Sequence, residues 1–351
     1  MVEPLALWVS PVGDLGGVAR HLLDVARVGI PGWRLVFLTP PGTLAERLRA
    51  EGAAVIEAPF GPDAGLGTSI ATLRATVRRL HPQVVHTHLS YADIVAAVGL
   101  VGMRVRLATT EHGIAADDLV YHSSPVEASV MATVHTVRLR AFSVVVAVAE
   151  ATRRAMVAKW HPRRAIQLIV NGVDRPTDTP VKEPGLRVLS LARLAPEKRI
   201  DKLLEAFALL AMDHPDATLR IAGVGPLDED LRAQTRTLGI ADRVAFDGFV
   251  PASDAMATAD VLVQLSVWEN CSYSLLDAMT HGLGVCATPV GGNPELLPTR
   301  CLAQADDPAT VAAVIVDQGT RLDRRPTLPN GWPMVAEMTA QLAVAYGAEH
   351  S

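Results

Sequence analysis

Short apolar runs of strand length alternate with helical segments along most of the chain, and this alternation restricts the fold more than any other feature of the sequence. In the first half, Leu5–Val9, Arg34–Leu38, Ala54–Glu57, Val84–Thr87, Arg106–Thr110 and Val144–Val148 read as strands. Gly16–Val28, Leu44–Glu51, Ser69–Leu80 and Tyr91–Val101 read as the helices between them. The second half repeats the scheme, with strands at Arg187–Leu191, Thr218–Ala222, Val244–Asp247, Val261–Gln264 and Val285–Ala287. Its helices are Ile200–Asp213, Leu227–Leu238, Ser274–His281 and Pro308–Gln318. The runs are near-continuous in Val, Leu and Ile rather than strictly alternating, as parallel strands covered on both faces require. The expected fold class is therefore α/β, with two Rossmann-like, doubly wound parallel sheets. Sheets of this kind bind ligands beyond the carboxyl ends of their strands, so two of them are expected to face a cleft.

Between the halves, Arg175-Pro-Thr-Asp-Thr-Pro-Val-Lys-Glu-Pro-Gly185 holds three prolines and a glycine without apolar periodicity, the composition of a linker. Charge steps at the same place: residues 1–175 carry 18 basic and 14 acidic side chains, the remainder 14 and 23. The expected domains are 1–175 and 176–333, followed by a final helical segment, 334–351. With a net charge of -5, a nucleic-acid-binding role is disfavoured. Cys271, Cys286 and Cys301 are odd in number and lack metal-type spacing, which fits a reducing compartment. No basic region precedes the first apolar run, as a secretory signal would need. The apolar stretch Ile94–Met103 is far shorter than the roughly 20 residues that span a bilayer. The expectation is a cytoplasmic protein without a transmembrane segment, either free or attached to a membrane surface.

Several turns carry chemistry. Ser10-Pro-Val-Gly13-Asp-Leu-Gly16-Gly17 joins the first strand to the first helix, where free backbone N–H groups suit phosphate. It lacks the G-x-G-x-x-G spacing, and the competing explanation is a tight turn that needs glycine. Arg193 and Lys198, five apart after a strand, would neutralise a diphosphate leaving group, or form a solvated basic loop. Ala222-Gly223-Val-Gly225-Pro226 is a second glycine turn at a strand end. Asp228-Glu-Asp230 has the shape of a metal-binding pair but reads as a helix start, where acids complement the dipole. Glu269 and Asp277 bracket a loop and the start of a helix. One could reach a sugar and the other a ribose, with the helix N-terminus facing phosphate; two unrelated acids are the alternative. His86 and His88 share one face of a strand, as a metal pair would, but spacing shows no third ligand, so packing is preferred. Arg74, Arg78 and Arg79 read as a solvated helix face.

Taken in order, these residues resemble glycosyltransferase family 4, retaining enzymes of the GT-B fold. The resemblance runs through Gly16-Gly17, His86-Thr-His88, Glu111-His112-Gly113, Val146-Ala-Val-Ala-Glu150, Asn171-Gly-Val-Asp174, Arg193 with Lys198, Gly223-Val-Gly225-Pro226, Gly248-Phe-Val250 and the Glu269/Asp277 pair. Asp277 stands where the family usually has Glu, and Asn270-Cys-Ser-Tyr departs from its usual small, Phe, Gly loop.

The resemblance implies a metal-independent hexosyl or N-acetylhexosaminyl transferase with no cofactor. Its co-substrates would be a nucleotide-sugar donor, UDP- or GDP-linked, and a hydroxyl acceptor, either a small molecule or a glycolipid. Arg193 and Lys198 would hold the diphosphate, Glu269 the donor sugar and Asp277 the ribose. Backbone at Ser274, Leu275, Gly16 and Gly17 would meet phosphate. Gly225 joins the substrate-binding set, Val250 would face the base, and His112 would stand near the reacting sugar. The final segment, Trp332 to Tyr346, resembles the helix that crosses back to the first domain. An Arg-rich, Lys-poor composition suggests a GC-rich bacterial source, with envelope glycans or secondary metabolites as products. A nucleotide-sugar epimerase of the same fold and a non-catalytic nucleotide-sugar-binding protein are the alternatives.

Overall fold

The computed structural model describes residues 3–114, 125–176 and 182–347. Residues 177–181 of the expected linker lie outside the described residues. The chain divides into two compact units, one of Met1–Gly172 with Pro333–Ser351 and the other of Val173–Trp332.

The first unit runs β1 (Leu5–Val9), α1 (Gly17–Val28), β2 (Arg34–Thr39), α2 (Thr43–Ala50), β3 (Ala54–Glu57), α3 (Leu66–Leu80), β4 (Val84–His88), α4 (Ser90–Gly99), β5 (Arg106–Glu111), α5 (Pro125–Leu139), β6 (Val144–Ala147), α6 (Glu150–Trp160) and β7 (Gln167–Leu168). The strands form one parallel sheet in the order β3-β2-β1-β4-β5-β6-β7. Such an order doubles back at β1, which puts β1 and β4 at the centre with helices on both faces. Period-two alternation then splits β1. Ala6 and Trp8 join the core beneath α1, while Leu7 and Val9 join the core beneath α3 and α4.

The second unit runs β8 (Arg187–Leu191), α7 (Ile200–Asp213), β9 (Thr218–Ala222), α8 (Asp228–Thr237), β10 (Val244–Gly248), α9 (Ala252–Ala257), β11 (Val261–Gln264), α10 (Tyr273–Thr280), β12 (Gly284–Ala287), α11 (Asn293–Leu296) and α12 (Pro308–Thr320). Its parallel sheet has the order β10-β9-β8-β11-β12. Phe207, Leu219, Ile221, Val263 and Ile315 lie in its core. The acids at 228–230 fill the first turn of α8, as expected of a helix start.

The final helix, α13 (Val335–Gly347), belongs to the first unit. Val335, Met338, Leu342, Ala345 and Tyr346 are buried in the same core as Trp8. Gly172 makes this fit possible: a Cβ there would stand 2.6 Å from the Met334 carbonyl oxygen.

Candidate functional site

In the first unit the polar residues converge at the carboxyl ends of the central strands. Alternation along β4 sends His86 and His88 to one face, where their rings stack 4.8 Å apart at 8°. His86 is fixed on both nitrogens: Nε2 lies 2.8 Å from Thr110 Oγ1, and Nδ1 bonds the Tyr346 hydroxyl. Trp8 Nε1 donates to that hydroxyl at 3.1 Å. His88 Nδ1 lies 2.9 Å from Nε2 of His112, the residue that follows β5. His21, one turn into α1, brings its ring centroid 4.9 Å from that of His112 and 5.7 Å from that of His88. The side chain of Asn171 hydrogen-bonds His21. Burial pushes the His21 pKa down to about 4 and that of His86 to about 3. The same desolvation, with neighbouring imidazoles adding to it, holds His88 and His112 well below the ordinary range. All four rings are therefore neutral at pH 7.

A buried ion cluster stiffens the strand end that carries His112. Arg138 of α5 bonds both Asp93 of α4 and Glu111, the last residue of β5, the latter at 2.8 Å. Asp93 also accepts from Thr87 and, at 2.9 Å, from Thr109. Two carboxylates share one guanidinium out of water. Burial, reinforced by the charge of Glu111, pushes the Asp93 pKa up to about 7 against the pull of Arg138. Burial likewise raises Glu111.

Gly16 precedes α1 and Gly17 opens it. No side chain caps this helix, and its first turn holds no acid. Neither glycine has a positive φ, and a Cβ at either would meet nothing within 4 Å. Steric need therefore does not explain them. At Gly13 it does, since a Cβ there would come within 2.6 Å of the Pro41 oxygen.

In the second unit the polar residues follow β8 and β11. Lys198 Nζ donates to Glu269 Oε1 at 2.6 Å and to Ser266 Oγ at 3.4 Å, and stands 5.9 Å from the Trp268 ring centroid. Arg193 is exposed and pairs with Glu197 of the same loop. That loop lies on the glycine turn after β9. A Cβ at Gly223 would be 1.9 Å from the Ala192 oxygen, and one at Gly225 would be 2.4 Å from the Leu194 oxygen. Leu194 N donates to Val224 O at 3.1 Å, and Leu227 N to Leu194 O at the same distance. Gly225 thus seats the backbone beside Arg193. Gly291, with φ of 51°, does the same for Glu269: a Cβ there would overlap the Glu269 oxygen.

Ser272 precedes α10 without capping it; its hydroxyl accepts from Gln264 Nε2 at 2.8 Å instead. The first turn of α10 holds the half-buried Ser274 and the buried Leu275, with no acid. Asp277 sits deeper in the helix and is buried. Val250 follows β10 at the sheet edge, separated from β8 by β9 in strand order. Of the residues singled out in the sequence, Lys198 and Glu269 are brought into direct contact, with Arg193 and Gly225 in the same loop packing.

Sequence reasoning missed His21, the pairing of His88 with His112, and the Asp93–Arg138–Glu111 cluster. Spacing shows no third ligand for a His86/His88 pair, and His86 has both nitrogens engaged by Tyr346 and Thr110; the rings that do come beside His88 are His21, from α1, and His112, from beyond β5. A signal was present in His21, four residues after Gly17 and so one turn along the helix that the glycines open.

Residues 15–175 match the family described as Glycosyltransferase Family 4, and residues 185–318 match Glycosyl transferases group 1. The 2-deoxystreptamine glucosyltransferase of Streptomyces kanamyceticus is 31% identical over 48% of this chain and 44% of its own length. The N-acetyl-alpha-D-glucosaminyl L-malate synthase of Bacillus anthracis is 26% identical over 67% of this chain and 65% of its own. The matches span between 26% and 65% of the first curated relatives. Anabaena HepE, solved in complex with UDP and glucose, superimposes with a TM-score of 0.76 at 21% identity, over 97% of this chain and 94% of that one. The two parallel-sheet units are those of GT-B structures. With both halves matched in order, the first half of the chain is a family 4 glycosyltransferase domain and the second a group 1 glycosyltransferase domain.

Proposed function

We propose that the protein is a retaining, metal-independent glycosyltransferase that moves a hexosyl or N-acetylhexosaminyl group from a UDP- or GDP-linked donor to an acceptor hydroxyl. The observation that carries this reading is the Lys198–Glu269 pair at 2.6 Å, which stands a few residues before the uncapped start of α10. A cation, a carboxylate and a helix N-terminus without a side-chain cap supply what a sugar diphosphate needs: charge for the phosphates, an acceptor for sugar hydroxyls, and oriented N–H groups.

In this reading Lys198 and Arg193 stabilise the departing diphosphate, and Ser274 and Leu275 offer backbone N–H groups to it. Glu269 holds the sugar, Asp277 the ribose, and Val250 faces the base. Gly225 acts by seating the Arg193 loop. Gly16 and Gly17 leave room for phosphate to approach backbone at the start of α1. His112, neutral, donates or accepts a hydrogen bond at a sugar hydroxyl. The acids at 228–230 complement their own helix and take no part. Relatives named for 2-deoxystreptamine and L-malate support a small polar acceptor, and relatives named for phosphatidylinositol and diacylglycerol a lipid one, within secondary-metabolite or envelope-glycan synthesis in a bacterium. Among the described residues no helix is long and apolar enough to cross a membrane, so a glycolipid acceptor would be met at a membrane surface.

The test is release of nucleoside diphosphate from a panel of UDP- and GDP-sugars, with and without pooled aminocyclitol and hydroxy-acid acceptors, in excess EDTA. Acceptor-dependent release that survives chelation is expected. Donor conversion without acceptor would mark an epimerase, and binding without conversion a non-catalytic protein.

A further inference from the structure

We propose that His21, His88 and His112 form a binding site for a zinc-class transition-metal ion. One imidazole nitrogen from each lies within 4.8 Å of the other two. Tetrahedral zinc with Zn–N bonds of 2.0–2.1 Å holds its ligands roughly 3.3 Å apart. The 2.9 Å His88–His112 pair must open slightly, and the wider pairs, at up to 4.8 Å, close by up to about 1.5 Å to reach the tetrahedral spacing. Among the described residues, no other group of three His, Cys, Asp or Glu side chains converges in this way.

Three features favour a metal over a plain hydrogen-bonded cluster. First, His88 Nδ1 and His112 Nε2 already face each other at 2.9 Å, close to the spacing of two ligands on one tetrahedral ion, so neither ring has to turn away from another partner to coordinate. Secondly, the three rings arrive from separate, well-packed elements, α1, the end of β4 and the residue after β5, and an outer layer holds them. Asn171 bonds His21, and His86 stacks on His88 with both its own nitrogens engaged. Such outer bonds orient ligating imidazoles. Thirdly, His112 is only partly buried, which leaves a solvent side for a fourth ligand such as water.

The adjacent Glu111 is tied to Arg138, so the donor set is three neutral nitrogens. That set selects zinc, copper, nickel or cobalt over magnesium or calcium. Coordination needs no net proton release, because the hydrogen between His88 and His112 moves to the other nitrogen of the ring that carries it. The site is independent of the donor reading above. If His112 serves there, a bound ion occupies its lone pair, and zinc inhibits turnover instead of supporting it.

The test uses the untagged, full chain stripped with a chelator and titrated with cobalt(II), a visible reporter of zinc sites. One equivalent should give intense tetrahedral d–d bands that zinc abolishes. His21→Gln and His88→Gln should each lose the bands, Asn171→Ala should weaken binding about tenfold, and the surface variant His81→Gln should leave it unchanged. X-ray absorption on the zinc-loaded wild type counts imidazole ligands without any substitution. No stoichiometric cobalt band, a band retained in folded His21→Gln or His88→Gln, or fewer than three imidazoles at zinc each overturns the proposal. These readouts do not involve glycosyl transfer, so failure of the functional reading leaves them decisive.

Discussion

The two units hold the polar residues of their candidate sites in opposite ways. In the first, uncharged imidazoles are packed between strands and aromatic rings, with His86 and His88 wholly inside, and the charges present, Asp93 and Glu111, are buried on one shared guanidinium, that of Arg138. In the second, charges stand at the edge of the fold in close pairs, Lys198 with Glu269 and Arg193 with Glu197, partly open to water. Burial explains the contrast. A charge taken out of water needs a fixed partner, whereas a neutral ring needs only a hydrogen bond. Rigid neutral groups suit coordination and aimed hydrogen bonds. Exposed ion pairs suit a ligand that arrives charged and leaves charged, because each internal partner can be exchanged for a phosphate or a hydroxyl at small cost.

The largest effect expected from this contrast is kinetic. Lys198→Ala should lower kcat by about 10²-fold, by analogy with the loss of one charge-stabilising donor, while the melting temperature stays near that of wild type. Steady-state rates together with thermal unfolding check both halves. Unchanged turnover would erase the functional side of the comparison.

Next comes the acid sensitivity of the first unit. The folded pKa of His86, about 3, lies below its unfolded value of 6.5, so its contribution to stability is complete above pH 6.5. It is lost as pH falls from 6.5 towards 3, because only the unfolded chain takes up the proton. At pH 5 this amounts to roughly 2 kcal/mol. Urea unfolding of wild type and His86→Gln at pH 7 and pH 5 isolates the term, since Asp93 and the other shifted groups are common to both. Equal pH slopes would mean that His86 carries no buried-neutral penalty.

The smallest effect lies on the charged side of the comparison, in α12, whose first turn has a side-chain cap. Asp307 accepts from Thr310 N at 3.0 Å at the start of α12. Asp307→Ala should lower the melting temperature slightly, through the lost cap, and leave turnover unchanged. Were turnover to fall with it, capped and uncapped helix starts would not differ in role as α12 and α10 suggest.

Strand positions were legible because parallel strands buried on both faces must be apolar throughout, and β8, β9 and β11 have the bounds read from the sequence. Segments with weaker patterns were not. In α6 only Thr152, Met156 and Trp160 face inward among charged neighbours, and β7 is two residues long. The loop chemistry around Arg193 and Lys198 was visible as spacing, but the pairing of Lys198 with Glu269 was not, since it is set by where β8 and β11 end in space. The histidine cluster illustrates the same limit: residues 21, 88 and 112 meet only because β1, β4 and β5 lie side by side in the sheet.

The place of α13 has a consequence for synthesis. The Tyr346 hydroxyl answers both Trp8 and His86 from the far end of the chain. A ribosome therefore releases the slot for this ring long before it releases the ring. The whole of Val173–Trp332 is made in between, on the order of ten seconds of elongation at bacterial-like rates. Through that interval Trp8 and His86 lack their phenol, and water or a chaperone must cover the gap. The second unit has no such wait, because its sequence is continuous and it can close on its own core as soon as it emerges. Although translated first, the first unit is finished last.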